Sequence, residues 1–275
     1  MSNESSGSGD QPMLAGQVAI VTAGGGHAIG GHYSRALARE GAAVVVADLD
    51  LESAQGVVDE ITAAGGRAIA VQTDVSKSDS VQAMVDRTIS ELGEINILVN
   101  HAGMGASLPI DELSEERWDR AMGVSLRGTF LCIRAAVPSL RRAGGGRIVN
   151  TTSRTAYRAG ALAARRGVAA YAANKAGIGG LSRALALELG PDNITVNCIA
   201  PGLMRESGNF KELGLSAAGD PEERQRRAEA EGQALPPEPG DPEDIAGALL
   251  YLVGPHGRRV TGMVMHVNSG AYFPA

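Results

Sequence analysis

The sequence predicts a single α/β domain built on a doubly wound parallel sheet. Short apolar runs alternate with amphipathic stretches that are long enough for helices, and no linker interrupts the alternation. Runs that are apolar throughout are typical of strands buried on both faces. Strands that alternate with helices favour parallel connections, with helices on both sides of the sheet.

The predicted elements follow from this pattern in order along the chain. The expected strands cover 18–21, 43–47, 68–71, 95–99, 147–150, 194–199 and 263–267. The expected helices cover 29–40, 51–64, 78–92, 115–140 and 171–189. The segment 203–240 departs from the alternation because it holds mixed charge and several prolines, so we expect it to cover a site, with a short helix near 221–231.

The composition excludes several classes of protein. Of the 275 residues, 44% are hydrophobic and 20% are charged, which is ordinary globular usage. The net charge of −6 lacks the basic surplus that nucleic-acid binding requires. Cys132 and Cys198 stand in apolar surroundings, so we expect buried thiols and no metal site.

The N-terminal residues 1–12 are polar, with neither a basic start nor an apolar segment. We expect a disordered tail there, followed by one domain over 13–275. No run is apolar enough to span a bilayer, and the tail does not resemble a secretory signal. These features predict a cytoplasmic protein with no membrane partner.

A glycine-rich loop over 22–31 joins the first predicted strand to the first predicted helix. Glycines at this position let the backbone approach a pyrophosphate at the helix N-terminus. Asp48 ends the second strand 18 positions after Gly30, near the spacing of an acid that binds a ribose 2′-hydroxyl. Because an acid there repels a 2′-phosphate, the sequence favours NAD over NADP. The alternative is a solvated acid at a turn.

Tyr171 and Lys175 lie four positions apart at the start of a predicted helix, so their side chains share a face. An ammonium group beside a phenol favours the phenolate, which suits general acid/base chemistry. Taken alone, the same spacing also arises by chance in surface pairs.

The ordered set of motifs resembles the short-chain dehydrogenase/reductase family from Leu14 to Phe273. No single motif is decisive, but their order is highly specific and implies a Rossmann-type fold. After the glycine loop come Asp74-Val75, Asn100-His101-Ala102-Gly103, Asn150-Thr151-Thr152-Ser153, Tyr171-Ala172-Ala173-Asn174-Lys175, Pro201-Gly202, Pro242-Glu243-Asp244-Ile245-Ala246 and Thr261-Gly262.

The resemblance implies a role for each matched residue. Tyr171 would be the general acid/base, Lys175 would hold the nicotinamide ribose and assist the tyrosine, and Ser153 would bind the substrate oxygen. The implied catalytic set is Ser153, Tyr171, Lys175 and Ser125. The implied cofactor set is Thr22, Gly24, Gly26, Ile29, Gly30, Asp48, Leu49, Asp74, Val75, Asn100, Ala102, Gly103, Tyr171, Lys175, Pro201 and Gly202.

The glycine loop departs from the family's usual Thr-Gly-x-x-x-Gly-x-Gly. Counting back from Gly30 puts Ala28 at the second glycine and Gly24 at the first, whereas anchoring on Thr22 requires a one-residue insertion. Ala28 either weakens NAD binding through its methyl group or stands in a re-routed loop that binds normally.

Two further departures concern the catalytic residues. Ser125 stands where the family usually has an Asn that supports a water-mediated proton path to the lysine, so we expect a weakened relay. The gap between Ser153 and Tyr171 is also longer than is usual. The extra residues include Arg158, Arg165 and Arg166, which either bind an anionic group of the substrate or form a solvated basic loop.

The leading prediction is an NAD-dependent oxidoreductase that interconverts a secondary alcohol and a ketone by hydride transfer. Two alternatives stay open: a nucleotide-binding relative without turnover, and an NAD-dependent epimerase that forms a transient ketone. The resemblance also implies a homotetramer or homodimer, formed through the helices that contain Ser125 and Tyr171. A small-molecule substrate would be selected by loops 104–109, 154–170 and 203–240, whose sequences carry no readable code.

Overall fold

The computed structural model describes residues 12–105, 108–158, 167–204, 226, 229, 232–236 and 240–273. Within them, seven strands form one parallel sheet in the order β3-β2-β1-β4-β5-β6-β7. The strand order reverses between β1 and β4, which is where open α/β sheets bind ligands. The strands are β1 (Val18–Thr22), β2 (Ala43–Asp48), β3 (Arg67–Gln72), β4 (Ile97–Asn100), β5 (Gly146–Thr151), β6 (Ile194–Pro201) and β7 (Val264–Val267).

Helices cover both faces of the sheet, as the doubly wound prediction requires. One apolar core joins the sheet to α1, α2 and α7, and the other joins it to α3, α5 and α6. In β2, Val44 and Val46 belong to the first core while Val45 and Ala47 belong to the second. The helices are α1 (Ile29–Arg39), α2 (Leu51–Ala63), α3 (Ser78–Glu91), α4 (Glu115–Met122), α5 (Gly128–Arg142), α6 (Ala169–Leu189) and α7 (Pro242–Val253).

Two of the predicted helices were wrong in detail. The stretch predicted as one helix over 115–140 is two helices, α4 and α5, joined by a π-helical turn at Gly123–Arg127. A π turn inserts one residue into a helix, and the apolar spacing of the sequence changes too little to reveal the insertion. Such turns are frequent at functional sites. The helix predicted from Tyr171 begins at Ala169, so Tyr171 lies within its first turn.

Several sequence predictions concern residues that lie outside the described ranges. They include the N-terminal tail apart from Pro12, Arg165, Arg166 and most of the segment 203–240. Cys132 and Cys198 are buried, as expected. None of the described helices is long and apolar enough to cross a membrane, and the same residues contain no cluster of His, Cys, Asp and Glu that could hold a metal ion.

Candidate active site

The predicted site residues gather at the carboxyl edge of the sheet. Because all seven strands are parallel, the loops after β1, β4, β5 and β6 emerge at this one edge. Thr22 ends β1, and its hydroxyl accepts hydrogen bonds from the backbone of His101 at 3.0 Å and of Ala102 at 3.1 Å. This residue therefore ties the glycine loop to the loop after β4.

The glycine loop is folded so tightly that backbone atoms fill the space of missing side chains. A Cβ at Gly30 would lie 1.8 Å from the carbonyl oxygen of Ala23, and a Cβ at Gly31 would lie 1.9 Å from that of Gly26. A Cβ at Gly24 would lie 2.8 Å from the carbonyl oxygen of Val21. These glycines are needed for the loop to form, before any ligand is considered.

The loop leaves the first turn of α1 available for an anion. Its N-cap is Ala28, and no side chain among the described residues caps the helix. The free backbone N–H groups and the helix dipole favour a phosphate there, so the cradle fits the pyrophosphate of a dinucleotide. Ala23 has a φ of 50°, a conformation usual for glycine. Together with the bonds of Thr22, this supports the alignment that starts at Thr22 and inserts one residue.

Asp48 holds the glycine loop from the end of β2. Its Oδ2 accepts a hydrogen bond from the backbone of Gly25 at 3.0 Å, and its Oδ1 accepts one from Asp50 at 3.1 Å. Leu49, the next residue, has 65% of its surface exposed. The carboxylate of Asp48 therefore lies against the glycine loop, and the apolar side chain that follows it in the chain is exposed.

Asp74 and Val75 follow β3 on the same side. The side chain of Asp74 accepts hydrogen bonds from the backbone and hydroxyl of Ser76, at 2.9 and 2.6 Å. These bonds hold the pKa of Asp74 below its usual value. Val75 is buried against Gly128, where a Cβ would lie 3.0 Å from its Cγ2. The structure thus fixes both residues at the end of β3.

The side chain of Asn100 is buried and hydrogen-bonds to a neighbouring strand of the sheet. Its amide nitrogen donates to Asn150 Oδ1 at 2.8 Å, and Asn150 donates to Ser182 Oγ at 2.9 Å. Ser182 also accepts from the Cys198 thiol at 3.1 Å and donates to the carbonyl of Ile178 at 2.7 Å. This buried chain fastens α6 to three strands and so fixes the helix that carries Tyr171 and Lys175.

Lys175 is a buried residue whose ammonium group is held by a hydrogen bond. It is 3% exposed, its Nζ donates to the carbonyl of Thr151 at 2.7 Å, and it lies 5.9 Å from the centre of the Tyr171 ring. Burial lowers the pKa of Lys175 to about 8. A Cβ at Gly103 would lie 3.1 Å from Nζ, so the glycine of the loop after β4 makes room for the ammonium group.

Ser153 and Ser125 are both buried. Ser153 lies near the start of the loop after β5, and its Oγ accepts from the backbone of Thr155 at 3.2 Å. Ser125 is fully buried in the π turn, where its Oγ accepts from the backbone N–H of Met104 at 3.0 Å and lies 3.3 Å from the carbonyl of Met104. The Ser125 hydroxyl therefore binds the loop beside Lys175.

His101 serves a structural role in this structure. Its Nδ1 lies 3.2 Å from Thr151 Oγ1, and its ring meets the Tyr33 ring edge-on at 5.5 Å. Burial and the charge of Lys175 lower the pKa of His101 to about 3. The imidazole is thus neutral at physiological pH and adds no charge to the cofactor site.

The remaining predicted positions border the site from β6 and from the loop after β5. Pro201 ends β6, and the backbone of Gly202 donates to the carbonyl of Val267 at 2.9 Å. Arg158 donates to the carbonyl of Ala271 at 3.3 Å. This arginine therefore binds the C-terminal segment, and Arg165 and Arg166, the other two arginines of the anionic-substrate hypothesis, lie outside the described ranges.

Sequence reasoning missed four residues that support the site. The carbonyl of Thr151 accepts a hydrogen bond from Lys175, and the hydrogen bond between Asn150 and Ser182 holds α6. Asn174 is a fully buried polar residue that precedes Lys175 in the chain. Asn150 and Thr151 belong to a motif that was recognised, but their partners lie on α6 and on the neighbouring strand β4. The fold is needed to bring these partners together, and the strand register pairs Asn100 with Asn150.

This arrangement defines a class of protein: a nucleotide-binding oxidoreductase on a Rossmann-type sheet. A family model described as enoyl-(acyl carrier protein) reductase matches residues 24–272. Among curated proteins, the chain is 38% identical to the (2S)-[(R)-hydroxy(phenyl)methyl]succinyl-CoA dehydrogenase subunit BbsD of Thauera aromatica, over 94% of this chain and 97% of that one. It is 35% identical to cyclohexanol dehydrogenase of Acinetobacter sp. strain SE19, over 93% of this chain and 94% of that one.

Solved structures agree with these matches. A 7α-hydroxysteroid dehydrogenase in complex with NADH and 7-oxo glycochenodeoxycholic acid superposes with a TM-score of 0.82 at 33% identity, covering 94% of this chain and 96% of that one. A blue fluorescent protein from a metagenomic library, in complex with NADPH, gives 0.80 at 34% identity, covering 95% and 100%. The chain belongs to the short-chain dehydrogenase/reductase family.

Proposed function

We propose that this protein is an NAD-dependent dehydrogenase/reductase that interconverts a secondary alcohol and a ketone, with Tyr171 as the general acid/base. The observation that carries the proposal is the placement of Lys175, a buried ammonium group fixed by Thr151 at 2.7 Å and lying 5.9 Å from the centre of the Tyr171 ring. A cation in that position stabilises a phenolate.

The residues of the site divide the chemistry between them. Tyr171 would take the proton from an alcohol oxygen, or return one to a ketone oxygen, and Ser153 would donate a hydrogen bond to the same oxygen. Lys175 would bind the nicotinamide ribose and keep positive charge beside the phenol. Bound NAD would supply the hydride acceptor for oxidation and, as NADH, the donor for reduction.

The relatives support an alcohol or ketone substrate. Two of the curated relatives are named as dehydrogenases of hydroxylated compounds, and the steroid dehydrogenase is bound to NADH with an oxo compound. Since another structural neighbour is bound to NADPH, the preference for NAD is inferred from Asp48. Its carboxylate lies at the glycine loop, where it would bind a ribose 2′-hydroxyl and repel a 2′-phosphate.

The test is a spectrophotometric assay of NADH and NADPH with a panel of cyclic secondary alcohols and their ketones. Tyr171→Phe should lower kcat by about 10³-fold because it removes the acid/base oxygen, while NADH affinity stays within about twofold. Nicotinamide binding by the unmodified protein without turnover of any substrate would favour the alternative of a non-catalytic relative.

The NAD preference has its own variant. Asp48→Asn removes the charge but keeps an oxygen for the Gly25 backbone, so it should improve kcat/KM with NADP by about tenfold relative to NAD. An unchanged ratio of the two kcat/KM values would show that Asp48 does not select the cofactor.

We further propose that the protein is a homo-oligomer, a tetramer or a dimer, assembled through α4, α5 and α6. These helices present an apolar hollow of about 580 Å³, lined by Met122, Leu126, Phe130, Gly177 and Leu181 among others. Leu187, on α6, is 83% exposed. Exposed apolar surface of this kind favours association between copies, because association removes it from water. Light scattering after gel filtration should show Phe130→Glu shifting the protein toward monomer, and a monomeric unmodified protein would contradict the proposal.

A further inference from the structure

Asn174 is a buried amide whose role the proposed chemistry leaves unexplained. It precedes Lys175 on α6 and has no exposed surface. Neither its amide nitrogen nor its amide oxygen has a hydrogen-bond partner among the described protein residues. An unpaired buried polar group costs about 1–3 kcal/mol, and buried polar groups that lack protein partners are commonly paired by ordered water.

Helical spacing places Asn174 on the face of α6 that packs against the π turn. Ala170, one turn earlier, shares an apolar cluster with Ala121 of α4. Gly177, one turn later, lies where a Cβ would be 2.8 Å from Leu126 Cδ2. Asn174 stands between these two positions on α6, and α6 contacts the turn Gly123–Arg127.

The π turn brings Ser125 to the same region, but the Ser125 side chain is already engaged. Its hydroxyl contacts both backbone groups of Met104, at 3.0 and 3.3 Å. A Cβ at Gly103 would lie 3.1 Å from Lys175 Nζ and 3.6 Å from Ser125 Oγ, so the two groups are close neighbours. The family usually has an amide at position 125, whereas Ser125 provides only a hydroxyl, and that hydroxyl is bound to Met104.

We propose that Asn174 is a positioning residue that holds a buried water between α6 and the π turn, and so supplies from α6 the amide that Ser125 lacks. This inference rests on the proposed function. During alcohol oxidation Tyr171 receives the substrate proton, which must leave to solvent before the next turnover. The proton would pass from Tyr171 through Lys175 to the water held by Asn174, and from that water to solvent. Only a proton moves in these steps, so the hydride transfer to NAD is unaffected.

The experiment uses Asn174→Leu, which has nearly the same shape but no polar atoms. Since the variant removes a buried amide that has no hydrogen-bond partner among the described protein residues, its thermal midpoint should be equal to or higher than that of the unmodified protein. Its kcat for alcohol oxidation should fall about tenfold, and the pH dependence of kcat should shift. If the variant does not fold, Asn174→Met carries the same prediction because its side chain adapts to irregular spaces.

Thr195→Val is the matched control. Thr195 is a buried residue near the start of β6, away from the carboxyl edge, and within the described residues its hydroxyl also lacks a hydrogen-bond partner. The control should change thermal stability in the same sense and leave kcat and its pH dependence unchanged.

Ser125→Asn completes the test. In the Asn174→Leu background it should restore kcat to within about twofold of the value of the unmodified protein, because one amide is enough. An Asn174→Leu variant with unaltered kcat and pH dependence would overturn this inference alone, as would a failure of Ser125→Asn to restore activity. Absence of turnover in the unmodified protein would overturn the proposed function and this inference together.

Discussion

The glycine loop and the lysine site lie at the same edge of the sheet but are built from different parts of the chain. In the loop, carbonyl oxygens of Ala23 and Gly26 fill the space where side chains would stand, while His27 is exposed. Around Lys175, geometry depends on individual polar atoms at 2.7–3.3 Å. Side-chain departures from the family pattern should therefore matter little in the loop and much beside the lysine.

The largest expected effect comes from giving the loop a side chain where backbone already stands. In Gly30→Ala the added Cβ would lie 1.8 Å from the carbonyl oxygen of Ala23, so the loop must move away from the start of α1. We expect a loss of NADH affinity of about 100-fold or more, measured by calorimetry. The control is Gly56→Ala on α2, which meets nothing within 4 Å and should raise stability by about 0.5–1 kcal/mol. Equal NADH affinities in the two variants would contradict the idea that close backbone packing at Gly30 shapes the cofactor site.

The second prediction concerns the charge of Lys175. The pKa of Lys175 is about 8 in the folded protein against an ordinary value of 10.5, so the unfolded chain binds more protons between these two values. The free energy of unfolding should therefore rise with pH from about 8 to about 10.5, by about 3 kcal/mol in all. Lys175→Met should lack this rise. Urea unfolding at pH 7, 8, 9 and 10 would measure both profiles, and parallel profiles would show that Lys175 titrates normally.

A smaller effect is expected at the loop position that departs from the family pattern. Ala28 has extended backbone, with φ −75° and ψ −179°, and caps α1 without a side-chain bond. Because this conformation needs no glycine, Ala28→Gly should change the KM for NAD by less than about threefold. A tenfold improvement in KM would show instead that the methyl group obstructs the pyrophosphate.

The smallest effect is expected at Ala23. Its φ of 50° costs an L-residue about 1–2 kcal/mol in the folded state. Glycine would remove this cost, but its greater conformational entropy would stabilise the unfolded chain by about 0.4–1 kcal/mol. Ala23→Gly should therefore stabilise the protein by about 0.5 kcal/mol. The change in denaturation midpoint measures this difference, and a loss of stability would show that Ala23 is not strained.

The sequence predicted the sheet well because its strands are buried on both faces and read as uninterrupted apolar runs. Because the strands are parallel, the ends of β1, β4, β5 and β6 lie at one edge of the sheet. The sequence missed the π turn, which adds one residue between Met122 and Gly128 while keeping both flanking helices amphipathic. It also did not predict that the Asn174 amide is buried without a hydrogen-bond partner among the described residues, because local sequence does not indicate which buried groups lack partners.

Asp48 links two properties that protein engineers would wish to change separately. The carboxylate proposed to discriminate between nicotinamide cofactors also accepts the backbone N–H of Gly25. A substitution without an acceptor at this position would alter cofactor choice and release the phosphate-binding loop in one step. A redesign toward NADP must therefore provide Gly25 with another oxygen before any arginine or lysine is introduced for the additional phosphate.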